Sequence, residues 1–152
     1  MTDFLECTGD LLESDCAALV NPVNCVGVAG KGLALQFKRT FPNNDAAYRT
    51  ACWQGVMRPG RVLPFVTTAA GRTLLIINFP TKRHWRDASH LADIDAGLLD
   101  LRRELEDRAI ASVALPALGC GLGGLDWREV RPLIWSRLTG LPACTVHVYP
   151  PH

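Results

Sequence analysis

Twice in this chain an apolar, β-type run breaks into a glycine-rich loop and restarts with helical spacing. Residues 17–24 end in ALVNPVN, CVGVAGKG follows, and residues 33–40 look like a helix. Residues 112–115 form another apolar run and lead into ALGCGLGG. Asp126 then opens a helical stretch through Val130, Leu133, Ile134 and Leu138. A strand that hands over to a helix reaches its parallel neighbour by a crossover, so this pattern restricts the chain to an α/β sheet.

The remaining segments keep the alternation. Strands are expected at residues 4–8, 62–68, 74–79 and 145–149, with Gly71 in the turn between the middle two. A helix is expected at residues 46–53. Ser89 is a good N-cap for a long helix in which Leu91, Ile94, Leu98, Leu101 and Leu105 recur by threes and fours. Arg102, Arg103 and Arg108 sit near the C-terminal end of that helix, where its dipole favours them. Asp126 with Glu129 has the pattern of a capping box. The expected fold is a three-layer α/β/α domain over residues 1–152 with a mixed sheet, and the sequence holds no repeat or linker.

Composition excludes several classes. With 152 residues, 48% hydrophobic and 20% charged, the chain suits one sizeable core. A formal charge of +1 predicts neither a nucleic-acid coat nor an acidic partner, so any basic surface must be local. The six cysteines form no CxxC pair and no zinc spacing, and most lie in apolar runs. They point to a reducing cytoplasm and not to a disulfide framework. The opening MTDFLECTGD does not read as a signal peptide, and no apolar run is long enough to span a bilayer. No metal site and no cofactor are expected.

Both glycine loops offer backbone N–H groups and a helix dipole to an anion. Neither is a standard nucleotide motif. Cys25 stands where a Walker A loop needs glycine, and Gly32 where it needs Ser or Thr. GCGLGG fits G-x-G-x-x-G, but the strand after it has no acid for a ribose. Glycines alone make tight turns; two such loops at strand-to-helix junctions favour a pyrophosphate ligand. Asp10 either accepts from an adenine amino group or caps a short helix beginning at Leu11, and spacing favours the cap. Asn21 and Asn24 end the second strand as turn formers or as polar contacts. After Pro80 come Lys82, Arg83, His84, Trp85 and Arg86. They read either as a solvated basic loop with Trp85 packed on the core, or as a strand-end site for single-stranded nucleic acid.

Four segments together resemble a known family: TGDLL (8–12), NPVNCVGVAGKGLALQFK (21–38), INFPTKRHWR (77–86) and PALGCGLGGLDW (116–127). They look like a macrodomain, an ADP-ribose-binding α/β module, and the resemblance covers nearly the whole chain. They are most similar to the DarG-type branch, antitoxins that remove ADP-ribose from thymidine bases in DNA modified by a DarT-type toxin. The resemblance implies that Asp10 and Leu11 bind the adenine and that Asn24 and Thr81 lie by the distal ribose. It places Gly32, Leu33, Ala34 and Gln36 along the site, and Leu118, Gly119, Cys120, Gly121, Leu122 and Gly123 around the diphosphate. Lys82 would be catalytic, and Arg83, His84, Trp85 and Arg86 would face the DNA. The implied partners are ADP-ribose, ADP-ribosylated single-stranded DNA and a DarT-type toxin, with the chain itself a monomer. The alternatives are an ADP-ribose reader without turnover, or a hydrolase of glutamate-ester-linked or acetylated ADP-ribose. There is one departure. A protein-directed sister branch carries an acid after GCGL, where this chain has Gly123, which argues against a lysine-plus-aspartate mechanism and against glutamate esters. Full DarG-type antitoxins continue into a toxin-binding C-terminal part, so this chain is expected to be the macrodomain alone.

Overall fold

A computed structural model describes residues 2–151. The strands are β1 (Asp3–Glu6), β2 (Ala18–Val23), β3 (Leu63–Ala69), β4 (Arg72–Pro80), β5 (Ser112–Pro116) and β6 (Thr145–Tyr149). The helices are α1 (Gly32–Thr40), α2 (Pro42–Trp53), α3 (Leu91–Asp107) and α4 (Trp127–Leu138), with a 3-10 turn at Leu11–Glu13. One sheet has the order β1-β6-β5-β2-β4-β3. Strand β3 pairs antiparallel with β4, and the other pairs are parallel. The mixed sheet is therefore as expected, and β1, β2, β4, β5 and β6 all end at one edge.

Burial explains the layers. Interior strand β4 is buried without a break from Leu74 to Pro80, because both its faces are covered, whereas edge strand β3 is only partly buried. On one face Ala18, Val20, Leu75, Ile77, Val113, Leu115, Val146 and Val148 meet Ile94, Leu98, Leu101 and Leu105 of α3 and Val130, Ile134 and Leu138 of α4. On the other, Leu19, Leu74, Ile76 and Ala114 meet Phe37 of α1 and Leu11, while Val23 meets Tyr48 and Ala51 of α2. Side chains alternate between these faces because successive strand residues point in opposite directions.

Connectivity selects one stretch of the carboxyl edge. From β2 the chain leaves through α1 and α2 toward β3 and β4. From neighbouring β5 it leaves through α4 toward β6, in the opposite direction. The crevice between β2 and β5 is thus the topological switch point, where open α/β sheets bind ligands.

Two local expectations are corrected. Helix α2 begins at Pro42, before residue 46, with proline in the first turn, where its missing N–H is harmless. Asn44 is buried there because it exchanges hydrogen bonds with Asn78 of β4 at 3.1 and 2.8 Å. Ser89 does not cap α3. His90 holds the cap position without a side-chain bond, and the Ser89 hydroxyl is buried with no partner among the described residues. Instead, the Ser89 N–H donates to the Gly123 carbonyl at 2.9 Å, which turns the residue toward the β5–α4 loop.

Candidate active site

The β5–α4 loop is a cradle of backbone donors. Its turns use Cys120 N–H to Ala117 O (3.1 Å), Leu125 N–H to Gly119 O (2.9 Å) and Gly124 N–H to Gly121 O (3.2 Å). Among the described residues, the N–H groups of Gly121, Leu122 and Gly123 donate to no protein acceptor. Three successive open N–H groups at a strand end make an anion site. Gly119 has a left-handed φ of +74°, and a Cβ there would stand 2.8 Å from Leu125 Cδ1. A Cβ on Gly123 would overlap Ser89 Oγ, whereas one on Gly121 meets nothing within 4 Å. The loop's backbone is thus packed from below and open above. Leu118 anchors it in the core, and Leu122 stands exposed at its tip.

The β2–α1 loop is organised by Asn24. Its Oδ1 accepts from Val26 N–H (3.1 Å), Val28 N–H (3.3 Å) and Tyr48 O–H (2.7 Å), and its Nδ2 donates to Val28 O (2.8 Å). The amide is committed to shaping the turn. Tyr48, which nothing in the local sequence marks, clamps it from α2. Lys31 caps α1 without a side-chain bond, and the first helical bond is Leu35 N–H to Lys31 O. The N–H groups of Gly32, Leu33 and Ala34 are therefore open at the positive end of the helix dipole, with Gln36 exposed one turn on. Helix α4 differs, because Asp126 accepts from Arg128 N–H at 2.9 Å and closes its N-terminus. Of the expected capping box, only this Asp126 half is seen.

After β1, Asp10 accepts from Leu12 N–H at 2.9 Å and caps the 3-10 turn, as its spacing favours. Its carboxylate remains exposed, while Leu11 is buried beside Phe37.

The basic loop follows β4. Thr81 is buried and its N–H donates to Val23 O at 2.8 Å. Lys82 is half-buried. Its Nζ donates to Trp85 O at 3.0 Å, and no carboxylate pairs with it among the described residues. Arg83 leans toward Asp93 (3.4 Å), and Arg86 lies over the Trp85 ring (4.6 Å to the centroid). His84 Nδ1 accepts from Arg86 N–H, and its ring stands 5.3 Å from Trp85. Trp85 is 46% exposed, so it does not pack back on the core. Nor is the loop merely solvated. Arg83 O accepts from Cys25 N–H (3.2 Å), and Ser89 N–H holds Gly123 O, so three loops are joined into one unit.

Burial pushes the Cys120 and Cys25 thiols up to about 11, which leaves them protonated at neutral pH and poor nucleophiles. Among the described residues no group of three or more His, Cys, Asp or Glu is placed to hold a metal ion.

Residues 20–134 match the model of the Macro domain family. A DNA ADP-ribosyl glycohydrolase of Mycobacterium tuberculosis is 51% identical over 144 residues, covering 95% of this chain and 41% of that protein. The solved macrodomain of Mycobacterium tuberculosis DarG superposes with a TM-score of 0.95 at 50% identity, over 98% of both chains. Thermosipho africanus DarTG in complex with ADP-ribose superposes with a TM-score of 0.89 at 34% identity, over 97% of this chain and 42% of that one. The chain spans about two fifths of the length of the curated relatives it matches.

Proposed function

The chain belongs to the macrodomain family, and from that premise we propose that it removes ADP-ribose from thymidine bases of single-stranded DNA, reversing a DNA ADP-ribosyltransferase. One observation carries the reading beyond ligand binding. The Lys82 amine sits at the same sheet edge as the open N–H groups, unpaired with any described carboxylate, on a loop tied to its neighbours. A pure reader needs the N–H groups but has no use for that amine. The activity named for the mycobacterial relative supports the same reading.

The bond to be broken joins the anomeric carbon of the distal ribose to a base nitrogen. Water adds to that carbon, the C–N electron pair leaves with the base nitrogen, and a proton completes the base. Lys82 acts on the leaving nitrogen. Its amine already serves as a hydrogen-bond donor, and Arg83 and Arg86 are turned to Asp93 and Trp85. The diphosphate lies on the N–H groups of Gly121, Leu122 and Gly123 and of Gly32, Leu33 and Ala34, where backbone dipoles bind it without a paired cation. Asp10 keeps one carboxylate oxygen for the adenine amino group, beside Leu11. Thr81 lies by the distal ribose with the turn that Asn24 shapes beside it, Gln36 lines the site next to the first glycine loop, Gly119 and Cys120 shape the cradle, and Arg83, His84, Trp85 and Arg86 meet the DNA.

A DarT-type transferase as biological partner, a monomeric state and a cytoplasmic location belong to the same reading. Six free cysteines suit a reducing compartment, and no described helix is long and apolar enough to cross a membrane. The decisive experiment offers three substrates: an ADP-ribosylated thymidine oligonucleotide, a protein carrying ADP-ribosyl-glutamate, and free ADP-ribose as a binding probe. ADP-ribose should be released from the DNA and not from the protein. Tight binding with no release from DNA would leave only a reader, and release from the protein alone would reassign the substrate.

A further inference from the structure

Beside the Lys82 loop, against the outer side of the β2–α1 loop, lies a groove that the chemistry above does not use. It measures about 420 Å³ and is lined by Cys25, Val26, Gly27, Arg49, Cys52 and Trp53, which is within the size range of small-ligand sites, about 300–1,000 Å³. Trp53 ends α2 and is 89% exposed, so its indole contributes almost nothing to the core. Tryptophan is highly buried on average, whereas this ring lies bare at the rim of the concavity. Arg49 stands one turn before it. Its Nε is held by the buried Asp45 carboxylate at 2.9 Å, which orients the guanidinium, and its terminal nitrogens have no partner among the described residues.

The groove is continuous with the site. Cys25, in its wall, donates its N–H to Arg83 O of the Lys82 loop. Gly27 brings the loop backbone close to α2: a Cβ there would lie 3.6 Å from Arg49 Cγ and 3.7 Å from Cys52 Cβ, at a left-handed φ of +83°. The Cys25 and Cys52 thiols are uncharged and give an apolar floor. Two acids stand nearby, Asp45 and Asp93, and each is paired with an arginine. Trp53 and Arg49 thus lie on the far side of Cys25 from the Arg83 backbone that it holds.

An oriented arginine beside a bare aromatic face is what a nucleotide requires: a planar base to stack on the ring and a phosphate to meet the guanidinium. We propose that the groove holds the nucleotide next to the modified thymidine, its base stacked on Trp53 and its phosphate on Arg49. This inference rests on the single-stranded DNA reading above.

The test compares kcat/KM for ADP-ribosylated thymidine without neighbours and for the same unit in oligonucleotides extended on either side. In the unmodified protein the extended substrate should be preferred. Trp53→Ala should reduce that preference by about 5- to 150-fold, the loss of one stacked base, and Trp53→Phe should retain most of it. The same preference in Trp53→Ala as in the parent would overturn the proposal. If the parent releases ADP-ribose from neither substrate, the glycohydrolase reading fails by itself. The groove is then tested by fluorescence anisotropy with an unmodified thymidine oligonucleotide, where weaker binding by Trp53→Ala upholds it and equal binding overturns it.

Discussion

Gly123→Ala places a methyl group where Ser89 already sits. The new Cβ would overlap Ser89 Oγ and stand 2.5 Å from Gly119 O and 2.9 Å from Ser89 Cβ. The φ of Gly123 is not left-handed, so the penalty is steric and not conformational. Neither neighbour can retreat freely. Ser89 is buried with its N–H on Gly123 O, and Gly119 O is a backbone atom held by Leu125 N–H at 2.9 Å. Overpacking of this kind costs about 1–3 kcal/mol, and loss of the Gly119–Leu125 hydrogen bond adds about 1 kcal/mol. A total of about 2–4 kcal/mol in a domain of this size lowers Tm by roughly 4–16 °C. Thermal unfolding followed by circular dichroism measures it. Ser89→Gly removes two of the three clashing atoms, so the double variant should recover part of the loss, with a coupling of about 0.5–3 kcal/mol. A Gly123→Ala protein melting within a degree of the parent, or a cycle with no coupling, would refute the argument. The same geometry accounts for the missing acid after GCGL: a carboxylate at position 123 has no room for its own Cβ, whatever mechanism would employ it.

Lys82→Ala should bind ADP-ribose with little change by calorimetry and lose release of ADP-ribose from DNA, because its amine acts mainly in the transition state. Lys82→Arg should keep measurable activity if a donor is what the leaving base needs, and activity equal to the parent in Lys82→Ala removes the residue from the mechanism. Gly121→Val meets no protein atom within 4 Å of its Cβ, so its stability should change by less than about 0.5 kcal/mol, while ADP-ribose binding is lost as the side chain fills the cradle. With its thiol pushed up to about 11, Cys120 should react slowly with iodoacetamide at pH 8 and about tenfold faster per pH unit up to that value, since only the thiolate attacks; a fast, pH-independent reaction would contradict its burial.

Much of this fold was legible because its signals are local. The handover from apolar run to glycine loop to helix is written in consecutive residues, and strand β6 has the bounds its sequence suggests. The Asp10 cap depends on a hydrogen bond only two residues long. What could not be read depends on distant partners. Pro42-Asn43-Asn44 looks like a turn, yet it opens α2, because Asn44 is satisfied by Asn78, 34 residues on. Ser89 has the chemistry of a cap but is drawn away by Gly123, in a different loop. Asn24 is a turn former by type, and only the hydroxyl of Tyr48 reveals how firmly its amide is held. The candidate site residues were marked by motif, while Trp53, at the end of the helix expected over 46–53, gave no sign that it would stand in water.

Those distant bonds also set how the site works as a unit. Cys25 N–H ties the first glycine loop to the backbone of Arg83, and Ser89 N–H ties the other end of the same basic segment to Gly123. Lys82 therefore lies on a loop anchored at one end to the α1 side of the crevice and at the other to the β5–α4 cradle. An anion drawn onto the N–H groups of Gly121 to Gly123 sits on the peptides that directly precede the Gly123–Gly124 peptide, whose carbonyl Ser89 holds. Its position and that of the Lys82 amine are thus linked through seven residues of chain, from Arg83 to Ser89, without a side-chain relay. This arrangement suits a reaction in which binding energy from the distal phosphates must be spent on orienting a donor at the scissile bond. It also makes the cradle and the amine interdependent. Ser89→Gly keeps the N–H but frees the backbone that carries it, so it should lower turnover on ADP-ribosylated DNA more than it weakens ADP-ribose binding, and equal losses in both would mean that the two loops act independently.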